Sequence, residues 1–237
     1  MTTRLFAVVA ALLMPAAAVA QWDDPPPQPD APVAPAAAVP DSGGPKLRGF
    51  ELSLALGYAI PFGDYYQSDS GQGAVISDEI SGGIPIVFGA GYRINPQVSV
   101  GATFQYGEGF VKSDACPSGA SCSASDYRLS FGVRFHFMAE QSFSPWISVG
   151  LGYEWLPIEV SEGRQSGGAS IAGLEFMNLE FGGDFRVSPD FTIGPFVGLW
   201  VGKFSRVSAD GDSVDIPSDN QSFHGWIALG VRGAFVL

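Results

Sequence analysis

Beyond residue 20, this 237-residue sequence has no uninterrupted apolar run of about 18 residues, the length that a membrane-spanning helix needs. This absence argues against a helical membrane protein. Charged residues are also scarce, at 15% of the chain, and acids outnumber bases by 24 to 12. So few charges make a poor surface for an ordinary soluble protein, and the acidic balance argues against a nucleic-acid partner.

Cysteine and histidine are rare as well, with two of each. Cys116 and Cys122 lie close together in a polar stretch, and no histidine or third thiol is nearby. In an exported chain, which meets oxidising conditions, this spacing predicts a disulfide in preference to a metal pair. The sequence predicts no cofactor and no metal site.

The first 47 residues divide into two segments that do not belong to a folded domain. Residues 1–20, MTTRLFAVVAALLMPAAAVA, have a basic start, a short apolar run and a small-residue ending, which predicts a cleaved signal peptide rather than a membrane anchor. Residues 21–47 are rich in Pro, Ala and Asp and predict a disordered periplasmic linker. Residues 48–237 then form the only predicted domain.

Alternation of apolar and polar residues is the main signal in this domain. In YRLSFGVRFHF, residues 127–137, the aromatic and aliphatic residues share one parity, while Arg128 and Arg134 fall on the other. This period of two predicts strands with one apolar and one polar face. Eight such segments are predicted, at about residues 50–62, 83–95, 97–107, 127–137, 146–155, 171–187, 191–204 and 223–237.

Three positions are expected to disturb the strands. Pro85 and Pro195 lie inside predicted strands and each removes a backbone donor, so a bulge or local break is expected beside each. Near Phe176 the alternation changes parity, which predicts a bulge.

The predicted connections alternate in length. Short turns lie at residues 95–97, 139–144 and 188–190, and long loops at 63–79, 108–126, 157–170 and 205–221. Short turns at one end and long loops at the other are typical of an outer-membrane barrel with its turns and both termini in the periplasm. The predicted fold is therefore all-β, an eight-stranded antiparallel up-and-down transmembrane β-barrel, preceded by the signal peptide and the disordered segment.

The residues on the polar face of the strands decide which face meets lipid. A soluble barrel with its apolar face inward would show water a face composed largely of glycine, which is a poor solvated surface. In a membrane, turning Arg128 and Arg134 toward lipid would cost about 2–4 kcal/mol each near the midplane. The large apolar residues are therefore predicted to face lipid. Aromatic bands are predicted at the turn end (Tyr92, Phe137, Phe185, Phe191 and Phe235) and at the loop end (Phe62, Tyr106, Tyr127 and Trp155).

Residues 48–237 resemble the small eight-stranded outer-membrane barrels, the group that includes the OmpA transmembrane domain and the OmpX and OmpW proteins. The resemblance rests on architecture and on the ending from Gly230 to Leu237, which is similar to the C-terminal signal read by the barrel-assembly machinery. It departs from that signal in ending on Leu237 instead of an aromatic residue. The resemblance implies insertion into the outer membrane by that machinery, contact with outer-membrane lipids including lipopolysaccharide, and a monomer.

Acids and bases of nearly equal number share the inward parity. An interior this narrow can be filled by side chains, and buried charges need partners, so a salt-bridged plug is predicted. The alternative is a narrow conduit, for which the inward glycines leave room. His136 is expected to join the network. The predicted members are Glu51, Arg93, Arg128, Arg134, Glu154, Glu180, Asp184, Arg186 and Arg232.

The long loops hold the excess negative charge, and a solvated acidic face is predicted there. The run DGDSVD resembles a calcium loop, but it lacks the glycine and the bidentate glutamate that such loops require. Bridging by divalent cations to lipopolysaccharide is a second hypothesis. The acids are Asp64, Asp69, Asp78, Glu79, Asp210, Asp212, Asp215 and Asp219.

These patterns favour a non-enzymatic outer-membrane barrel of structural or surface-interaction type. The alternative is a small channel for hydrophobic or small polar solutes. A lipid A-modifying enzyme is a third hypothesis, because Ser222 and His224 share one face at the mouth of the last strand. No carboxylate partner for that pair can be assigned from sequence.

Overall fold

The computed structural model describes residues 46–67, 73–163, 165–209 and 211–237. The predicted signal peptide, most of the linker, Asp69 and Asp210 lie outside these residues. In the described part of the chain, no helix has the length and apolarity needed to cross a membrane.

The described residues are almost entirely β-strand. Among these residues, helical structure is limited to a four-residue helix, α1 (Ile76–Glu79), and a short 3-10 turn (Ser218–Asn220). In chain order the strands are β1 Gly49–Gln67, β2 Gly73–Val75, β3 Ile80–Arg93, β4 Val98–Val111, β5 Ser121–His136, β6 Phe143–Glu162, β7 Gln165–Arg186, β8 Phe191–Ala209, β9 Asp212–Asp215 and β10 Phe223–Val236.

Eight of these strands close into a ring in which every neighbouring pair is antiparallel. Its order is β1, β3, β4, β5, β6, β7, β8 and β10, and β10 pairs with both β8 and β1. The short strands β2 and β9 extend β1 and β8 within the loops. Closure matters because an open strand edge in lipid leaves backbone groups unpaired. The predicted fold class is confirmed.

The strands run further at the loop end than the alternation predicts. β5 begins at Ser121 instead of residue 127, and the β6–β7 ladder continues to the pair Glu162↔Gln165. Above the membrane a strand has no lipid face, so its apolar alternation disappears while its backbone pairing continues. The three predicted short turns are confirmed, at residues 94–97, 137–142 and 187–190.

The two faces of β1 show which way the apolar side points. From Phe50 to Ile60, the even-numbered side chains are 46–65% exposed, whereas Glu51, Ala55 and Ala59 are buried. The apolar face therefore points out of the barrel and the other into its lumen, as predicted. Aromatic rings pair at the turn end (Phe50 with Tyr92, Phe143 with Phe185) and at the loop end (Tyr106 with Tyr127, Tyr153 with Trp155).

The three predicted irregularities are confirmed. Phe176 is an extra residue in β7: the register with β8 steps from Glu175↔Gly202 to Met177↔Val201. Beside Pro85 the β1–β3 ladder is interrupted, and beside Pro195 the β7–β8 ladder is interrupted, in both cases without a change of register. The prolines thus cause local breaks, and only Phe176 forms a bulge of the predicted kind.

Candidate functional site

A row of glycines forms one wall of the lumen. Gly91, Gly101, Gly132 and Gly150 lie opposite one another on β3, β4, β5 and β6. A Cβ atom at Gly132 would lie 2.6 Å from the carbonyl oxygen of Val149, so this wall admits no side chain. The space is left to long side chains from the other strands.

Those side chains form two charged layers with a small cavity between them. The cavity measures about 50 Å³, and Glu51, Arg134, Ser130 and Asn178 are among its lining residues. It has room for a few water molecules. We call the layer nearer the short turns the turn-side layer and the other the loop-side layer.

Glu51 is the centre of the turn-side layer and receives three arginines. Arg93 Nη2 lies 2.7 Å from Glu51 Oε2, and Arg134 Nη1 lies 3.2 Å from Oε1. Arg232 Nη2 also donates to Oε1. The three bases come from β3, β5 and β10, so this carboxylate ties together separate parts of the ring.

Asp184 and Glu180 complete the turn-side layer. Arg232 Nη1 donates to Asp184 Oδ2 at 3.1 Å, and the indole of Trp146 donates to Oδ1 at 3.0 Å. Arg134 lies 3.5 Å from Glu180 and 4.5 Å above the Trp146 ring. With Glu51, three carboxylates thus face three guanidinium groups, and the layer is electrically balanced.

The loop-side layer is built around Arg128, whose side chain is 2% exposed. Its Nη2 lies 3.0 Å from Asp126 and 3.1 Å from Glu154, and its Nη1 lies 3.5 Å from Glu175. His224 Nε2 lies 2.7 Å from Glu154 Oε2. Three carboxylates therefore surround one guanidinium and one imidazole.

Aromatic rings enclose the loop-side layer. The Arg128 guanidinium carbon lies 4.8 Å from the centre of the Trp200 ring and 5.3 Å from that of Trp226. The Trp226 indole also donates to Glu154 Oε1, and Phe204 stacks on His224 with centroids 3.7 Å apart. A cation between indole faces is stabilised by their negative π surfaces.

An apolar cap lies beyond this layer, toward the loops. Helix α1 and the start of β3 bring Ile76 and Ile80 to the barrel mouth, where both are fully buried. They pack in one cluster with Tyr65, Leu156 and Phe204. Burial, together with the negative charges of Glu79 and Glu154, raises the pKa of the Tyr65 phenol above its usual range.

Eight of the nine predicted network residues contribute to the two layers. The exception is Arg186, which is corrected here: its guanidinium donates to the carbonyl oxygens of Ala139 and Glu140 in a short turn. Arg186 follows the last lipid-facing residue of its strand, so its side chain reaches the rim. His136, expected in the network, lies 3.2 Å from Arg93.

The structure also places the residues of the loop hypotheses. Asp212 and Asp215 lie in β9, where Asp215 accepts a hydrogen bond from Arg206 that raises the pKa of the guanidinium. Within the described ranges, no cluster of acids, histidines or cysteines is arranged to hold a metal. Cys116 and Cys122 form the predicted disulfide.

Sequence reasoning missed Asp126 and Glu175 and gave His224 a different role. Asp126 shares the inward parity of Arg128, but it precedes the predicted start of the strand. Glu175 lies just before the bulge at Phe176, so its side chain points into the lumen although its parity matches that of the outward-facing Met177. The predicted bulge was sufficient to place Glu175 in the lumen. His224 was considered only as a catalytic base, whereas its imidazole contacts Glu154.

Comparison with known proteins agrees with this fold. A family model described as the autotransporter β-domain matches residues 57–222, which is more than half of the chain. The chain belongs to the autotransporter β-domain family. This β-domain is an outer-membrane β-barrel, as its lipid-facing apolar surface requires.

Among solved structures, the β-domain is similar to several outer-membrane proteins. Neisserial surface protein A is 17% identical over 78% of this chain and 96% of its own, with a TM-score of 0.43. OprG from Pseudomonas aeruginosa is 15% identical over 82% of this chain and 99% of its own, with a TM-score of 0.47. Ail of Yersinia pestis is 18% identical over 79% of this chain and 99% of its own, with a TM-score of 0.46. These likenesses are too distant to carry a function to the β-domain. No curated protein matches it.

Proposed function

We propose that this β-domain is a non-enzymatic outer-membrane barrel of structural or surface-interaction type, whose lumen is a plug. The observation that carries the proposal is the closure of the lumen by two ion-paired layers. Arg128, Arg232 and Glu51 are each nearly inaccessible to solvent at the side chain. An ion or solute crossing the barrel would have to separate these pairs.

Separation of the pairs would be costly. Removing one partner of a buried ion pair typically costs about 3–5 kcal/mol, because the remaining charge is left uncompensated. Glu51 has three such partners and Arg128 has three carboxylates around it. The apolar cap adds a second barrier at the loop end.

The small-channel alternative has one observation in its favour. The cavity beside the glycine row shows that the lumen is not completely filled, and polar side chains such as Glu51, Arg134 and Asn178 are among its lining. It lies between the two layers, however, so both layers would have to rearrange before it joined a continuous path.

The acidic loop end is proposed as the outward, interacting surface, with the short turns and both termini in the periplasm. Exposed acids there outnumber the described bases Lys112, Lys203 and Arg206. Divalent cations between these acids and anionic lipopolysaccharide are the proposed contact, and the barrel-assembly machinery is the proposed route of insertion of a monomer. The exposed acids are Asp78, Glu108, Asp114, Glu159, Glu162, Asp212, Asp215 and Asp219.

Bilayer conductance of the refolded full chain tests the plug. We expect no reproducible single-channel steps from the wild type. A matched variant, Arg134→Ala with Glu180→Ala, removes the Arg134–Glu180 pair together with the contact of Arg134 to Glu51, and it enlarges the cavity at unchanged net charge. We expect steps or leak from this variant. Reproducible wild-type steps would support the channel instead.

Two further measurements address the surface and the enzyme hypothesis. Calcium should increase binding of the wild type to lipopolysaccharide micelles, and this increase should fall when Asp78, Asp212 and Asp219 are changed to asparagine. Cells producing the wild type and His224→Ala should have identical lipid A mass spectra. A wild-type-dependent change in lipid A, lost in His224→Ala, would overturn the non-enzymatic proposal.

A further inference from the structure

We propose that the loop-side layer is a proton-binding site: Glu175 holds a proton at neutral pH, and the barrel loses stability when rising pH removes it. The inference is independent of whether the barrel conducts or what its loops contact. It rests on the charges, orphaned atoms and enclosure of this layer.

The loop-side layer holds more carboxylates than basic groups. Asp126, Glu154 and Glu175 lie within salt-bridge distance of a single guanidinium, that of Arg128. Among the described residues, no second arginine or lysine reaches these carboxylates. With all three ionised and His224 neutral, the layer would hold two uncompensated negative charges inside the barrel. Buried charge without a partner is strongly unfavourable, and such groups neutralise instead.

Protonation of His224 would remove only one of these two negative charges. Its Nε2 lies 2.7 Å from Glu154 Oε2, so one proton lies between these atoms. Its Nδ1 is buried and has no hydrogen-bond partner. At least one uncompensated negative charge therefore remains in the layer while all three carboxylates are ionised.

The oxygen atoms themselves indicate where the extra proton is held. Both oxygens of Asp126 and both of Glu154 accept hydrogen bonds or face Arg128 closely. In Glu175, Oε1 accepts from Ser130 at 3.2 Å and from Asn178 at 3.1 Å, whereas Oε2 is buried without a hydrogen bond and lies 3.5 Å from Arg128 Nη1. Hydrogen bonds favour the ionised carboxylate, so Glu175, with one oxygen that accepts none, is the least stabilised of the three carboxylates as an anion.

The side chains of the layer are also nearly inaccessible to solvent, at 1–7% exposed. Besides Glu175, charged and titratable groups in and around the layer come from five elements: β5 (Asp126, Arg128), β6 (Glu154), β10 (His224), β1 (Tyr65) and α1 (Glu79). Neutral neighbours include the amide of Gln105 on β4 and the rings of Trp200 and Phe204 on β8. The apolar cap separates the layer from the loop end, and the turn-side layer lies on the other side of the cavity. The layer is therefore largely removed from solvent.

The pH dependence follows from proton linkage. In the unfolded chain Glu175 is solvated and loses its proton near the ordinary value for glutamate, about 4.3. Above that pH the folded state binds one proton more than the unfolded state. Stability must then fall as the pH rises, by up to about tenfold in the unfolding equilibrium constant per pH unit.

Urea unfolding of the refolded full chain in lipid vesicles, from pH 5.5 to 9, tests this. Unfolding is followed by the emission of the five tryptophans, two of which, Trp200 and Trp226, flank Arg128. We expect the wild-type midpoint to fall with rising pH and the midpoint of Glu175→Gln to change much less. Glu180→Gln is the matched control, because it removes a carboxyl from the balanced layer, and it should keep the wild-type dependence.

A direct measurement accompanies the unfolding series. The infrared spectrum at neutral pH should show the carbonyl band of a protonated, buried carboxyl group, and Glu175→Gln should lack it. If Glu175→Gln does not fold, Asp126→Asn serves in its place, since it also reduces the charge excess and should flatten the pH dependence. Absence of the carboxyl band in the wild type, or equal pH dependence in wild type and Glu175→Gln, would overturn the proposal.

Discussion

Arg232, on the last strand, donates a hydrogen bond to Glu51, on the first, although 181 positions separate them in the chain. β10 and β1 are the two strands that close the ring, so this ion pair spans the seam of the barrel. The same carboxylate also receives Arg93 and Arg134. Closure of the ring and charge balance in the turn-side layer therefore both involve Glu51.

Glu51→Ala should be the most destabilising single change in the turn-side layer. It leaves Arg93, Arg134 and Arg232 with a deficit of negative charge, and we expect a loss of about 3–5 kcal/mol in the free energy of unfolding. Urea unfolding in vesicles measures this. The exposed Glu162→Ala is the control and should change stability by less than about 0.5 kcal/mol. Equal effects of the two changes would show that the Glu51 ion pairs do not stabilise the barrel.

Ile76→Ala should loosen the apolar cap without opening the barrel. Ile76 is fully buried, and removing such a side chain costs about 2–5 kcal/mol, here from the local stability of α1. Amide hydrogen exchange in residues 76–80 should accelerate by at least about tenfold, since each 1.4 kcal/mol is a factor of ten. The neighbouring Asp78 is exposed, so Asp78→Ala should leave the exchange unchanged. A fall in exchange protection across β4 and β5 would contradict a local role.

Loss of the disulfide should affect only the tip of one hairpin. Cys116 and Cys122 are six positions apart, and a loop this short is stabilised by about 2 kcal/mol when closed. In the Cys116→Ser, Cys122→Ser variant, protease should cut within residues 112–121 faster than in the wild type. The heat-dependent gel shift of the barrel should be unchanged, and reductant should make the wild type behave like the variant. Failure of the variant to form the compact unboiled species would show a wider role.

Deletion of Phe176 should be tolerated, because it removes the residue that both neighbouring strands leave unpaired. Glu175 and Met177 would then be adjacent, and their inward and outward directions would be preserved. Deleting Leu179 is the control: it lies in a regular part of β7, and its loss turns one side of the strand inside out. Refolding yield, measured by gel shift, should be near wild type for the first deletion and poor for the second. The reverse order would show that the bulge is required for closure.

The sequence by itself determined the eight strands, the short turns, the bulge at Phe176 and the direction of nearly every side chain. These follow from local causes: a strand repeats every two residues, and lipid accepts one kind of face and excludes the other. The same rule placed Glu51, Arg128 and Arg134 in the lumen. It failed for Asp126 because the alternation disappears where the strand leaves the lipid, although the backbone pairing continues.

The pairing of charges was decided only by the tertiary structure. Alternation gives the direction of a side chain but not its height in the barrel, which depends on the register of every ladder around the ring. Register brings His224 to Glu154 and puts Asp126 and Glu175 beside Arg128. The inward charges, nearly equal in number as a whole, are thereby divided into one neutral layer and one acidic layer. The distances between charged groups decide which of them interact, and they therefore determine the chemistry of the lumen.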